Sequence, residues 1–453
     1  MGIFKDCDIR GVCPDEIDAG AVYAVGRALA TLHPGARVAV GGDVRLSTPE
    51  LKAGLIRGLT DSGADVTDLG TIPTPVLYWA LKRLDVAGGA TVTASHNPPK
   101  YNGVKFMFGD APVTREIMDR VATVATAGVF REGRGRCEAY APLGAYMDDL
   151  AGRFPASRPM KIVVDAGNGA MSAVAPRVLR RCGHDVTELF CEPDGRFPNR
   201  DPNPADFRCL DAVRERVRSV GADFGGAFDG DGDRAVFIDD LGRAVMTEKA
   251  LALFIRRALR DGPTPVVYDQ KSSSIVRRTA LEMGGEPIPE RSGHAFIKRR
   301  FLELGAAIAG EVRGHFFFGE LGYDDGLYAA LTMAALLAES DAPLSALADA
   351  LPCPPITPDL RVPCPYNEQD AWLNRVESRL TGPGCRVSRM DGVRFEFDDG
   401  WLLLRKSITA EQITLRAEAD TPERLRELLD RVAEALPDPS ASRSIIKNYY
   451  AAC

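Results

Sequence analysis

Three aspartates alternate with glycines in Phe228-Asp229-Gly230-Asp231-Gly232-Asp233-Arg234. Carboxylates this close repel one another unless a cation compensates them. The flanking runs Ala222-Asp223-Phe224 and Ala235-Val236-Phe237 read as strands, so Gly230 and Gly232 allow a tight loop that converges three oxygens on one point. Oxygen-only ligation suits a hard divalent ion such as Mg²⁺. An EF-hand does not fit, because Arg234 stands where that loop requires glycine and no helix pair flanks the motif. The plain alternative is an acidic surface turn.

A second motif, Thr93-Ala94-Ser95-His96-Asn97-Pro98-Pro99, follows an apolar run. A serine at a strand end, beside a ring nitrogen and loop amides, can take and return a phosphoryl group when a metal ion neutralises the phosphoryl oxygens. A Ser/Asn/Pro turn with a packing histidine is the competing reading. No GxSxG elbow surrounds Ser95, which leaves acyl-transfer hydrolysis unsupported. Arg10, Arg45 and Lys105 each follow loop-like segments, and each taken alone fits a surface ion pair. Arg405-Lys406-Ser407-Ile408-Thr409 offers an arginine fork and hydroxyls suited to a phosphate dianion, or equally an amphipathic edge strand. Of five histidines, His96, His294 and His315 lie in polar, glycine-bearing loops, while His33 and His184 read as surface or turn positions. None has carboxylates at metal-ligand spacing, so no histidine zinc site is expected. The ten cysteines contain no CxxC pair and read as free thiols.

The elements that must carry these residues alternate between strand and helix, with chemistry at strand ends. Arg37-Val38-Ala39-Val40 runs into Gly41-Gly42, and Ala90-Thr91-Val92-Thr93-Ala94 into Ser95. After an interruption between Gly128 and Pro159, Met160-Lys161-Ile162-Val163-Val164 opens a second unit, followed by the weakly phosphate-like turn Asp165-Ala166-Gly167-Asn168-Gly169-Ala170. A helix is predicted from Thr247, with Thr247 as its cap and Leu251, Phe254, Ile255, Ala258 and Leu259 as its apolar stripe. The proline-dense Leu351–Pro358 stretch marks a joint. Beyond it come strands around Arg394–Phe397 and Trp401–Leu404 and a helix from Pro422 to Leu436. The result is four units: 1–150 with the serine loop, 151–245 with the acidic loop, 246–355, and a smaller α+β unit at 356–453.

Composition bounds the function classes. The 453 residues are 45% hydrophobic and 26% charged, as in a globular protein. A net charge of -7 argues against a broad nucleic-acid surface. No apolar run is long enough to span a bilayer. The start, MGIFKDCDIRG, turns charged too early for a signal peptide, and Asp6 stands where a myristoylation motif needs a hydroxyl. A cytoplasmic protein is expected.

In their order along the chain, Asp8-Ile9-Arg10-Gly11, Thr93–Pro98, Asp229–Arg234, Gly310-Glu311-Val312-Arg313-Gly314-His315 and Arg405–Thr409 resemble the alpha-D-phosphohexomutase superfamily, most nearly its bacterial phosphomannomutase/phosphoglucomutase group. The resemblance spans nearly the whole chain. It implies a heart-shaped α/β protein of three related α/β domains and a smaller C-terminal α+β domain around one cleft. It implies reversible transfer of a phosphoryl group between the 1- and 6-positions of glucose or mannose phosphates, through phosphorylated Ser95 and a hexose 1,6-bisphosphate that serves as intermediate and activator. By the same resemblance, Ser95, Asp229, Asp231 and Asp233 bind Mg²⁺, and His96 and Arg234 flank that centre. Arg10 and Lys105 assist transfer, with Lys105 and His294 as acid-base groups. Substrate contacts fall to Arg45, Lys271, the Arg291-Ser292-Gly293 loop, Glu311, Arg313 and His315, and a distal phosphate clamp to Arg405, Ser407 and Thr409. Partners are hexose phosphates, with neither nucleic acid nor membrane; monomer and homodimer are both compatible.

Two departures from the family pattern stand out. Glu311-Val312-Arg313 replaces the usual Glu-Met-Ser of the sugar-recognition loop, exchanging a small hydroxyl for a long cation. Arg313 either turns outward on a packed stem or meets an acidic group of the ligand. Ile408 and Ala410-Glu411-Gln412 also replace the usual clamp continuation. A phosphoglucosamine mutase and a noncatalytic sugar-phosphate-binding protein are the alternatives.

Overall fold

In the computed structural model, which describes residues 2–109, 112–407, 411–436 and 443, the chain forms four sheets in sequence order. The first runs Ile9–Val12, Tyr101–Phe108, Gly88–Val92, Arg37–Gly42, Asp65–Thr71, Cys137–Ala139 across its six strands. Gly88–Val92 is buried at every position, as suits a strand covered on both faces. It pairs parallel with Arg37–Gly42 and antiparallel with Tyr101–Phe108, which pairs in turn with Ile9–Val12. These registers oppose Thr91 to Lys105 and Arg10 to Gly103, so Lys105 lies on the strand next to the one that leads to Ser95, and Arg10 one strand further out. Gly103 is required there, since a Cβ would lie 2.0 Å from the Ile9 carbonyl oxygen.

The second sheet, ordered Ala235–Asp239, Phe224–Phe228, Lys161–Asp165, Asp185–Leu189, contains the hairpin that carries the aspartates. Phe228 pairs with Ala235, so residues 229–234 are its connecting loop. In the third sheet Ile308–Gly310 and Phe316–Phe318 are antiparallel, and Glu311–His315 is the turn between them. A bridge between Arg234 and His315 ties that turn to the aspartate hairpin. The fourth sheet is antiparallel, ordered Leu360–Pro363, Gln412–Ala419, Gly400–Lys406, Val393–Phe397, Arg386–Ser388. The strand leading to Arg405 is therefore central rather than an edge, because the apolar run Trp401–Leu404 is buried between two neighbours.

Helix Thr247–Ala258 forms as predicted, but Met246 is its N-cap and Thr247 makes no capping bond. Its buried first turn points Glu248 at Arg416, 2.9 Å away, so packing against the last domain sets where it begins. His184 is buried rather than a surface residue, with its Nδ1 accepting from the Met160 amide. Between 128 and 159, Cys137–Ala139 extends the first sheet and the helix Leu143–Arg153 packs toward the second unit. The nine cysteines among the described residues are all free. No described helix is long and apolar enough to cross a membrane.

One apolar core runs through the first three units, from Trp79 and Tyr146 through Phe224 and Phe254 to Phe316 and Leu327. The last unit keeps a core of its own, from Leu360 to Leu436. Its ties to the rest are polar: Lys271 to Asp359 at 2.5 Å, Gln270 Nε2 to the Asp391 carbonyl at 2.7 Å, and Arg416 to Glu248.

Candidate active site

Ser95 sits in the left-handed region with φ +50°, a conformation that costs a non-glycine residue about 1–3 kcal/mol. Arg45 over-determines it. The guanidinium, fully buried, donates to the carbonyls of Ser95, Asn97, Pro98 and Tyr101 at 2.6 to 3.0 Å, and its Nε to Asp43 at 3.1 Å. Asp43 also accepts from Thr93 and Thr48. Arg45, expected among the substrate contacts, thus lies beneath the serine loop, because loop carbonyls and a buried carboxylate take its nitrogens.

Above the loop, Ser95 Oγ donates to Asp229 Oδ2 at 2.8 Å, and His96 Nδ1 lies 3.4 Å from the same Oγ. Burial, helped by Arg234 and Arg10, keeps the His96 imidazole well below its usual range and so neutral. Asp229, Asp231 and Asp233 are fully buried, and one oxygen from each lies within 4.8 Å of the others. Burial and then Asp233 and Asp231 push Asp229 well above the ordinary carboxylate range. Burial acts on Asp231 too, but Lys105 and the Thr74 hydroxyl overcome it and pull its pKa down. Thr74 Oγ1 donates to Asp231 Oδ2 at 2.6 Å, and Lys105 Nζ to Asp231 at 2.8 Å and Asp233 at 2.5 Å. Although burial disfavours its charge, these carboxylates hold Lys105 well above the usual lysine range. Asp231 Oδ1 and Asp233 Oδ1 remain buried without hydrogen-bond partners. An all-carboxylate set with two orphaned oxygens fits a hard divalent cation.

Asp324, to which no sequence motif pointed, joins both later histidines. His294 Nε2 lies 2.9 Å from Asp324 Oδ1 and His315 Nδ1 2.6 Å from Asp324 Oδ2. Arg234 Nε donates to His315 Nε2 at 2.9 Å, which assigns the His315 proton to Nδ1. Burial would raise Asp324, yet His294 and His315 hold it well below its ordinary range. His294 is lowered by burial against the opposing pull of Asp324.

A cavity of about 410 Å³ receives side chains from all four units, including Ser95, Arg234, Glu311 and Arg405. Arg10 reaches Asn97 at 2.8 Å and pairs with Asp8. Glu311, though burial works against it, is held below its ordinary range by neighbours that include the Arg234 and Arg313 guanidiniums. Arg405 pairs with Asp391 at 2.7 Å, and Asp391 also accepts from the Ser292 amide at 3.2 Å. Arg291 Nε, Ser292 Oγ and Arg405 Nε are buried and unpartnered polar atoms. Gly293, at φ +131°, opens the helix that begins with His294. Lys271 is paired with Asp359, and Thr409 lies outside the described residues.

Four family models match in this order: phosphoglucomutase/phosphomannomutase alpha/beta/alpha domain I at residues 1–132, domain II at 144–242, domain III at 247–353, and the C-terminal domain at 360–435. The chain belongs to the phosphoglucomutase/phosphomannomutase family. Among its relatives in that family, a phosphoglucomutase of Neisseria gonorrhoeae is 38% identical, over 96% of this chain and 97% of its own length. A phosphomannomutase/phosphoglucomutase of Pseudomonas aeruginosa is 35% identical over the same shares. A crystal structure of a phosphoglucomutase/phosphomannomutase family protein from Burkholderia thailandensis superposes with a TM-score of 0.90 at 35% identity, covering 96% of each chain. The family's members are mutases, that is, isomerases, and this chain has their four-domain architecture.

Proposed function

We propose that this protein interconverts the 1- and 6-phosphates of glucose and mannose, using phosphorylated Ser95, Mg²⁺ and a hexose 1,6-bisphosphate intermediate. The observation that carries this reading is the placement of Ser95 Oγ 2.8 Å from Asp229, inside a three-aspartate bowl, on a cavity that all four domains line. Asp229, Asp231 and Asp233, with the Ser95 phosphoryl oxygen, would hold Mg²⁺, whose charge offsets that of the transferred group.

Arg291, Ser292 and Arg405 supply donors for the phosphate that does not react, with Ser407 and Thr409 following Arg405 in sequence and Lys271 reaching that phosphate only by leaving Asp359. Glu311 accepts hydrogen bonds from sugar hydroxyls. In the forward step the Ser95 Oγ–P bond breaks and a bond from phosphorus to the sugar hydroxyl oxygen forms. His294, with Nε2–H given to Asp324, takes the hydroxyl proton at Nδ1. Lys105, Arg10 and Arg234 stabilise the moving negative charge. The bisphosphate then turns end for end, its other phosphoryl group returns to Ser95 Oγ, and His294 gives the proton back to the freed sugar oxygen.

The test is turnover with Mg²⁺ and a catalytic amount of glucose 1,6-bisphosphate, comparing glucose 1-phosphate, mannose 1-phosphate and glucosamine 1-phosphate. Conversion of the first two to 6-phosphates is expected. Conversion of glucosamine 1-phosphate alone, or of none, would contradict the reading.

A further inference from the structure

Nearly every cation on the cavity wall is already matched by a neighbour. Arg10 pairs with Asp8, Arg405 with Asp391, and Lys105 with Asp231 and Asp233. Arg234 lies 3.7 Å from Asp229, Lys298 sits 3.5 Å from the centre of the Tyr78 ring, and Lys5 donates to the Gly2 carbonyl. Arg313 lines the same cavity, is exposed, and makes no hydrogen bond or ion pair with another described residue.

Its position is fixed by the turn that carries it. The Gly314 amide donates to the Glu311 carbonyl and the Glu311 amide to the His315 carbonyl, both at 3.0 Å. Gly314, at φ +96°, packs so close that a Cβ would lie 2.8 Å from the Ala235 carbonyl oxygen. Glu311 and His315 on either side are buried, so Arg313 projects from a rigid base. The cavity that it lines is also bounded by Ser95 of the serine loop and by Arg405 of the last domain, so Arg313 shares one space with the phosphoryl donor and the residues proposed for the distal phosphate.

A cation already neutralised by a carboxylate gains less from a ligand's charge, whereas an unpaired guanidinium brings its whole charge to the contact. A monophosphate brings one dianion to this cavity. A bisphosphate brings two, and both must leave their places while it turns. Resting on the reading of the protein as a phosphohexomutase, we propose that Arg313 is a specificity-determining residue that makes the cavity favour a bisphosphorylated hexose over a monophosphorylated one, retaining the intermediate as it reorients.

Binding separates this from the chemistry. In a Ser95→Ala background, where bisphosphate is not consumed, calorimetric titrations with glucose 1,6-bisphosphate and glucose 1-phosphate are compared with and without Arg313→Ser or Arg313→Lys. Arg313→Ser should weaken bisphosphate binding about tenfold and monophosphate binding less than about threefold, and Arg313→Lys should restore part of the difference by keeping the charge without the fork. Equal weakening of both ligands, or no weakening, overturns the proposal. Wild-type protein that fails to interconvert hexose phosphates would refute the mutase reading itself, and the binding ratio is read without turnover.

Discussion

Arg45 shows how a residue remote from the cavity governs the residue that reacts. Four loop carbonyls and Asp43 use its guanidinium, so Arg45→Lys cannot replace the fork and Arg45→Ala leaves Asp43 buried and unpaired. Arg45→Ala should lower stability by about 3–5 kcal/mol in denaturant titration, and Arg45→Lys should lose turnover with a smaller change in stability. Normal turnover in Arg45→Lys would show that the loop holds its own shape. Asp231→Asn should weaken the apparent Mg²⁺ affinity at least about tenfold, read from turnover against Mg²⁺ concentration. The serine and aspartate motifs were legible because their residues are adjacent in sequence. Thr74 and Asp324 were not, since Thr74 meets Asp231 across 157 positions and Asp324 meets the two histidines only once the third sheet has folded. The role of Arg45 in holding the serine loop is not legible either, since the four carbonyls that it meets lie 50 to 56 positions away.

At the scale of elements, the helix Gly326–Ala338 depends on a buried cap. Asp325 accepts from the Leu327 and Tyr328 amides and from the Tyr146 hydroxyl at 2.7 Å. Burial nevertheless pushes its carboxyl up to about 7 from an ordinary 3.8. The folded state then binds more protons than the unfolded state between those values, so this group makes stability fall as pH rises from about 4 to 7. Asn is an equally good cap and does not titrate, and the Tyr146 hydroxyl can accept from its amide. Asp325→Asn should therefore fold normally and lose that share of the pH slope, measured as the difference in Tm between pH 5 and pH 8. An unchanged slope would place the buried proton elsewhere. Elements themselves read well from sequence where apolar runs met glycine or proline, as at Arg37–Gly42 and Pro422–Ala435. The start of Thr247–Ala258 did not, because Thr247 looks like a cap, whereas it is the first helical residue, and the Glu248 beside it is buried against Arg416 of the last domain.

For the whole molecule, the division of cores sets what can move. Three domains share one apolar cluster, while the fourth has its own and meets the third through polar contacts that include Lys271–Asp359, Arg416–Glu248, Arg278–Asp420 and the Gln270 and Ser292 bonds to Asp391. A polar joint of this kind loosens more cheaply than an apolar one, which suits a cavity whose ligand must turn around. Glu248→Gln should raise the radius of gyration in solution scattering and raise KM for glucose 1-phosphate a few-fold more than it lowers kcat. Unchanged scattering would make the joint rigid. The four-domain order was visible in the sequence because each domain carries its own motif, whereas the shared core was hidden in contacts between distant segments. The most direct measurement is transfer of label from ³²P-labelled glucose 1,6-bisphosphate to the protein in the presence of Mg²⁺. The account predicts label on Ser95 that is chased off by glucose 1-phosphate, and its loss in Ser95→Ala together with turnover on the order of 10³-fold lower or less. Label on another residue, or near-normal turnover by Ser95→Ala, would contradict it.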